Sequence, residues 1–180
     1  MDVKTLCLGV LSRGEASGYE IKKAFEEGPF SHFHQASFGS IYPALNALSA
    51  DGLVEVRAQA QDKRPDKKIY SLTVKGRNAL LAALMAEPAP DVMRSDFLFI
   101  LFFAQHLPPG RVDRLISERI AWYRTMLERM EACDCAERPA GADFVRGMGI
   151  AEYRAAAENQ AAHRAELVAE IGEPPLQVAE

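Results

Sequence analysis

Three observations predict a mainly α fold: an N-terminal winged helix-turn-helix with a two-stranded β wing, followed by a C-terminal α-helical domain. Ile41, Leu45 and Leu48 recur at helical spacing, so one side of a short helix is apolar and faces a core. Gly52 stops that helix, and two β-like runs follow, Leu53 to Ala58 and Lys68 to Thr73, joined by a basic loop from Gln59 to Lys67. Beyond Glu87-Pro88-Ala89-Pro90, which breaks the pattern, three helical stretches fill the rest of the chain. This divides the 180 residues into a first domain at 1–86, a helical domain at 91–172 and a tail at 173–180.

In chain order, Val3 to Leu11 reads as a first helix with Val3, Leu6, Cys7, Val10 and Leu11 inward. Ser17 caps a second helix from Gly18 to about Glu27, and Glu20 at its third position completes a capping box. Tyr19, Ile21 and Phe25 supply its contacts, while Lys22 and Lys23 point elsewhere and can reach a phosphate backbone. Gly28 and Pro29 break the pattern, and the aromatics Phe30 and Phe33 of the connection fold back on the core. Ser37 or Ser40 can cap the third helix. Pro43 lacks a backbone donor and fits best within a first turn, which favours the later start. The polar side of that helix carries Ser40, Tyr42, Asn46, Ala47 and Ser49 and no carboxylate until Asp51, a surface that suits a polyanion or a base edge. Thr73 caps a fourth helix, Val74 to about Ala86.

The formal net charge is −4, but its distribution matters more than its sum. Residues 1–86 hold 11 Lys and Arg against 9 Asp and Glu, and residues 87–180 hold 10 against 16, so the halves differ in sign. Between Val56 and Arg77 stand Arg57, Lys63, Arg64, Lys67, Lys68, Lys75 and Arg77 against Asp62 and Asp66. Alone, such a hairpin is an ordinary solvated surface. Following a recognition-like helix, it becomes an electrostatic footprint for phosphates. No apolar run reaches the roughly 18 residues needed to span a bilayer, and no leader pattern follows Met1-Asp2, which places the chain in the cytoplasm.

Gly18-Tyr19-Glu20-Ile21, Gly39-Ser40-Ile41-Tyr42-Pro43-Ala44-Leu45, Asp51-Gly52-Leu53-Val54, and Arg64-Pro65 ahead of Lys68-Ile69-Tyr70-Ser71-Leu72-Thr73-Val74-Lys75-Gly76-Arg77 occur in order and at compatible spacing. In these motifs residues 1 to about 86 resemble the PadR family of bacterial transcriptional regulators. The C-terminal half is similar, in size and helical pattern, to the longer-tailed subfamily with helices for dimerisation. The resemblance implies that the second helix supports a recognition helix. It also implies double-stranded DNA as partner, with Lys22, Lys23, Ser40, Tyr42, Asn46, Lys63, Arg64, Lys67 and Lys68 as candidate contacts. Many family members begin the wing Gly-Arg-Pro; here Lys63 stands in the glycine's place and Asp66 follows Pro65.

The helical stretches of the second half run from Val92 to Gln105, from Pro109 to about Cys133 and from Ala142 to about Ile171. Val112, Ile116, Ile120, Tyr123, Leu127 and Met130 form a packing seam along the middle one. These helices lack an independent globular pattern, so their apolar faces are expected to meet a second copy in a two-fold homodimer. Such a dimer reads half-sites about one turn, roughly 34–36 Å, apart. Phe99, Phe103, Trp122 and Tyr123 are candidates for an aromatic effector pocket, the alternative being core and dimer packing.

An enzyme is not expected, because the chain has no glycine-rich phosphate loop, no nucleophile elbow and no metal-ligand spacing around His32, His34, His106 and His163. No cofactor or metal is called for. Cys7 reads as a small buried hydrophobe. In Cys133-Asp134-Cys135 the carboxylate between two thiols disfavours the reactive thiolate, leaving surface thiols or a redox sensor as readings. The functional expectation is a sequence-specific dimeric repressor at a pseudo-palindromic promoter site, released by a small aromatic effector. The alternative is a helical interaction module whose winged domain no longer binds DNA.

Overall fold

The computed structural model describes residues 1–32, 38–61, 64–132 and 139–171. It divides the chain into two compact units, Met1–Asp91 and Val92–Glu180.

In the first unit, α1 (Val3–Leu11) begins at Asp2, whose carboxylate accepts the Thr5 amide at 2.8 Å. A two-residue strand β1 (Ala16–Ser17) leads into α2 (Gly18–Glu26). The capping box is formed there: Ser17 Oγ accepts the Glu20 amide, and the Glu20 carboxylate accepts the Ser17 amide. A single 3₁₀ turn (Pro29–His32) follows, with the Phe30 ring 5.5 Å from that of Phe25. Phe33, His34 and Ser37 lie outside the described residues.

The third helix, α3 (Phe38–Ala50), starts earlier than Pro43 suggested. Proline sits inside it, so the Gly39 carbonyl has no i+4 amide to accept from, a loss tolerable on an exposed face where water can substitute. The helix ends at Gly52, with φ at +68°, where the Leu53 amide donates back to the Leu48 carbonyl at 2.8 Å.

The wing is longer than expected. Strands β2 (Val54–Gln61) and β3 (Arg64–Leu72) pair antiparallel from Val54↔Leu72 to Gln61↔Arg64, with a register shift between Gln59 and Gln61. Residues read as loop therefore belong to the ladder. Backbone pairing needs no apolar alternation where both faces are solvated, so periodicity misses this extension. β1 adds to the other edge of β3, with Ala16 opposite Tyr70, giving the order β1-β3-β2 and a third strand. α4 (Val74–Leu84) follows from Thr73, whose hydroxyl oxygen accepts the Gly76 amide at 3.0 Å.

Cys7, Leu8 and Leu11 of α1, Ile21 and Phe25 of α2, and Ile41, Ala44, Leu45 and Leu48 of α3 form the core with Val54, Tyr70 and Leu80. Tyr19, read as a core contact, is instead 64% exposed, because neighbouring helix positions one and two residues from Ile21 cannot share its face.

In the second unit, α5 (Asp96–Phe102) is shorter than the stretch read from Val92 to Gln105. Ser95 caps it by accepting the Leu98 amide, and a 3₁₀ turn (Ala104–His106) replaces its end. α6 (Pro109–Ala132) and α7 (Ala140–Glu170) form an antiparallel pair. Its direction follows from three contacts: Asp113 with Arg164, Tyr123 with Tyr153, and Met130 with Arg146. Of the expected seam Val112, Ile116 and Ile120 are buried with Phe97, Ala104 and Ile171, whereas Tyr123, Leu127 and Met130 are half-buried.

Candidate nucleic-acid interface

Burying Ile41, Ala44, Leu45 and Leu48 turns the opposite side of α3 outward. Gly39, Pro43, Asn46 and Ala50, at helical spacing, form an exposed ridge, with Ser40, Tyr42 and Ser49 half-buried beside it. The described side chains of this face carry no charge, so the face offers short polar groups and a close backbone.

Tyr42 also packs within the fold, in a way its sequence position does not reveal. A Cβ on Gly18 would lie 2.7 Å from Tyr42 Cε1, so the ring rests against the first turn of α2 and would have to shift for any larger residue there. Burial pushes the Tyr70 phenol above its ordinary pKa, and Tyr42 nearby adds to this. Tyr42 thus lies close to α2 and near Tyr70 of β3 as well as on its own helix.

The candidate cations divide into three sets. Lys22 pairs with Glu26 and Lys23 with Glu27, each at 3.3 Å and each four residues along α2. Helix pairs at this spacing contribute only about 0.3–0.5 kcal/mol when exposed, as Lys23 and Glu27 are. Lys68 is exposed on β3, where it lies opposite Ala58. Lys63, and the side chain of Arg64, lie outside the described residues.

The third set is tied down at the root of the wing. Lys67 Nζ lies 3.0 Å from Glu20 Oε1, and Arg57 is ion-paired with Glu15. Glu20 also accepts hydrogen bonds from the Ser17 amide at 2.8 Å and the Ser17 hydroxyl at 2.7 Å. These two bonds, and then Lys67, hold its carboxyl down at about 2. Nothing in the local sequence marks Glu15 and Glu20 as partners of the wing, because 42 and 47 residues separate them from Arg57 and Lys67. Only β1, whose two residues carry no periodic signal, brings them together.

In the second unit the candidate effector residues fall into two ring clusters. Phe99 and Phe102 each contact Phe103, with centroids 5.3 and 5.2 Å away, while Trp122, Tyr123 and Tyr153 contact one another at 5.2–5.5 Å. Arg119 lies over the Phe97 and Trp122 rings, 4.6 and 5.4 Å from their centroids. Cys133 and Cys135 are outside the described residues, and Cys7 is fully buried, its thiol pushed up to about 11 by desolvation. Among the described residues no group of three or more His, Cys, Asp or Glu side chains could hold a metal ion, and no helix is long and apolar enough to cross a membrane.

A helix braced by a second helix, with an uncharged polar ridge and an adjoining cation-bearing β ribbon, defines a winged helix-turn-helix protein of the DNA-binding type. Residues 7–82 match the model of the transcriptional regulator PadR-like family. The chain belongs to that family. It is 30% identical over 119 residues to the negative transcriptional regulator PadR of Bacillus subtilis, a match covering 66% of this chain and 65% of that regulator's length. The crystal structure of PadR from Bacillus subtilis in complex with operator DNA shares the fold at a TM-score of 0.75 and 24% identity, covering 91% of this chain and 98% of that one. PadR has also been solved with p-coumaric acid. Smu.1604c from Streptococcus mutans is similar at a TM-score of 0.81 and 30% identity, covering 92% of this chain and 99% of that one. The PadR-like regulator BC1756 from Bacillus cereus also reaches 0.81, at 28% identity, covering 94% and 99%.

Proposed function

We propose that this chain is a dimeric, sequence-specific repressor that reads a pseudo-palindromic promoter site through α3 and holds the flanking phosphates through its wing. The observation that carries this reading is the exposed ridge of Gly39, Pro43, Asn46 and Ala50, uncharged and adjacent in the fold to a ribbon bearing Lys68. Ser40 and Asn46 supply the hydrogen-bonding groups for base edges; Lys63, Arg64 and Lys68 supply charge.

A homodimer is supported by the apolar side chains that the second unit exposes, Phe99 at 69%, Phe102 at 79% and Phe144 at 70%. A second copy would cover them and place two reading helices on one face of a duplex. A small aromatic effector finds support in the two ring clusters around Phe103 and Trp122, which offer faces and edges for stacking. Release would follow if it altered the separation or tilt of the two reading heads.

The test is a titration of fluorescent duplex from the chain's own upstream region against a scrambled duplex, at two salt concentrations. Preferential, salt-sensitive binding with two chains per site is expected. Lys68→Ala should weaken both duplexes and flatten the salt dependence, whereas Asn46→Ala should cost the upstream duplex about 1–3 kcal/mol and spare the scrambled one. Equal losses on both duplexes from Asn46→Ala would contradict its assignment to base reading.

A further inference from the structure

The wing's cations are not equivalent, and the difference is set by two carboxylates that lie outside the wing. Glu15 and Glu20 flank β1, on the edge of β3 away from β2, and reach Arg57 and Lys67 respectively. The Glu20 carboxylate cannot simply swing away when DNA arrives, because the Ser17 amide and hydroxyl anchor it at 2.8 and 2.7 Å. Its charge is therefore fixed in place beside a residue otherwise suited to a phosphate.

We propose that Glu15 and Glu20 form an electrostatic brake on DNA affinity, each holding one wing cation in an internal ion pair and so withholding it from the phosphate backbone. This rests on the DNA-binding reading above. A phosphate that captures Lys67 must displace Glu20 and then sits close to an unneutralised, immobile carboxylate. That repulsion opposes most of what the new contact contributes. Phosphate contact accordingly shifts from Arg57 and Lys67 to other cations such as the exposed Lys68, and the protein makes fewer counterion-releasing contacts than its Lys and Arg count suggests. Because phosphates carry no sequence information, the brake acts on every duplex alike.

Glutamine is the suitable probe. At position 20 its side-chain oxygen can still accept the Ser17 amide, so the capping box survives while the charge is lost. The experiment measures affinity of the full chain for a mixed-sequence duplex across a salt series, for wild type, Glu15→Gln, Glu20→Gln and the double variant, each first checked by thermal melting. Each single variant should bind about threefold more tightly, the size of effect an exposed ion pair can hold back. The slope of log affinity against log salt should steepen by about 0.9 for each cation released to a phosphate.

Two controls separate the brake from a general charge effect. Glu87→Gln changes net charge equally and lies in the exposed stretch after α4, away from the wing in sequence; it should leave the affinity unchanged. In a Lys67→Ala background, Glu20→Gln should give no gain, because the cation it would free is absent. An equal gain in that background, or an unchanged affinity and slope in both Gln variants, overturns the brake while leaving DNA binding intact. Wild type that binds no duplex at low salt overturns the DNA-binding reading and the brake with it.

Discussion

At the residue scale, one methyl group decides the junction between α3 and α4. A Cβ on Gly76 would lie 2.0 Å from the Leu53 carbonyl oxygen, a backbone atom that itself accepts the Thr73 amide and hydroxyl. Gly76→Ala should therefore destabilise the first unit by about 2–3 kcal/mol in urea denaturation, within the range for forced overpacking. A loss under 0.5 kcal/mol would mean that the backbones separate without cost. Glu20 gives a pH-dependent counterpart. Its folded pKa, about 2, lies below its ordinary 4.5, so its contribution is complete above pH 4.5 and is lost as pH falls through 2. The stability gap between wild type and Glu20→Gln should then narrow between pH 5 and pH 3, and a gap independent of pH would refute the sign. The capping box was legible in the sequence, since Ser17 and Glu20 are local. Gly76 and the Lys67 pairing were not, because what approaches a residue from far along the chain leaves no mark beside it.

At the scale of elements, helices with one buried stripe are legible in the sequence, and short or solvated strands are not. Ile41, Leu45 and Leu48 are all fully buried, and Val112, Ile116 and Ile120 make the inner stripe of α6. The stripe's burial fades along the helix, from Ile116 at 3% exposure to the half-buried Leu127. Ile116→Ala should cost about 2–5 kcal/mol and Leu127→Ala about half as much, measured by denaturation of the full chain. Equal costs would show that the far end of the α6–α7 pair is as closely packed as the near end. α5 is shorter than its apolar pattern predicts: Val92 and Met93 extend that pattern, yet these side chains are 74% and 82% exposed and Ser95 starts the helix after them. β1 has no sequence signature, being held by its pairing with β3 rather than by any composition of its own.

At the scale of the whole molecule, charge is segregated along the sequence: residues 87–180 carry 16 acidic against 10 basic side chains, and residues 1–86 carry 9 against 11. A polyanion is thereby directed to the first half even though the net charge is −4. Exposed aromatic side chains in the second half give the proposed dimer its test. Phe102→Glu should shift sedimentation from two chains to one and reduce affinity for the upstream duplex, since a single winged helix reads only a half-site. An unchanged dimer would remove Phe102 from the proposed interface.

The hydrogen bonds that join Gly52, Leu53, Thr73 and Gly76 also have a mechanical meaning. Thr73 donates its hydroxyl to the Gly52 and Leu53 carbonyls and accepts the Gly76 amide, while Lys75 Nζ reaches the Asp51 carbonyl at 2.7 Å. The C-terminal end of α3 and the N-terminal end of α4 are thus tied together by hydrogen bonds. The 11 residues of α4 make a lever arm of roughly 16 Å. Displacing its far end by about 3 Å would turn that junction by roughly 10°, and the hydrogen bonds there lead directly to the end of α3, the helix proposed to read DNA.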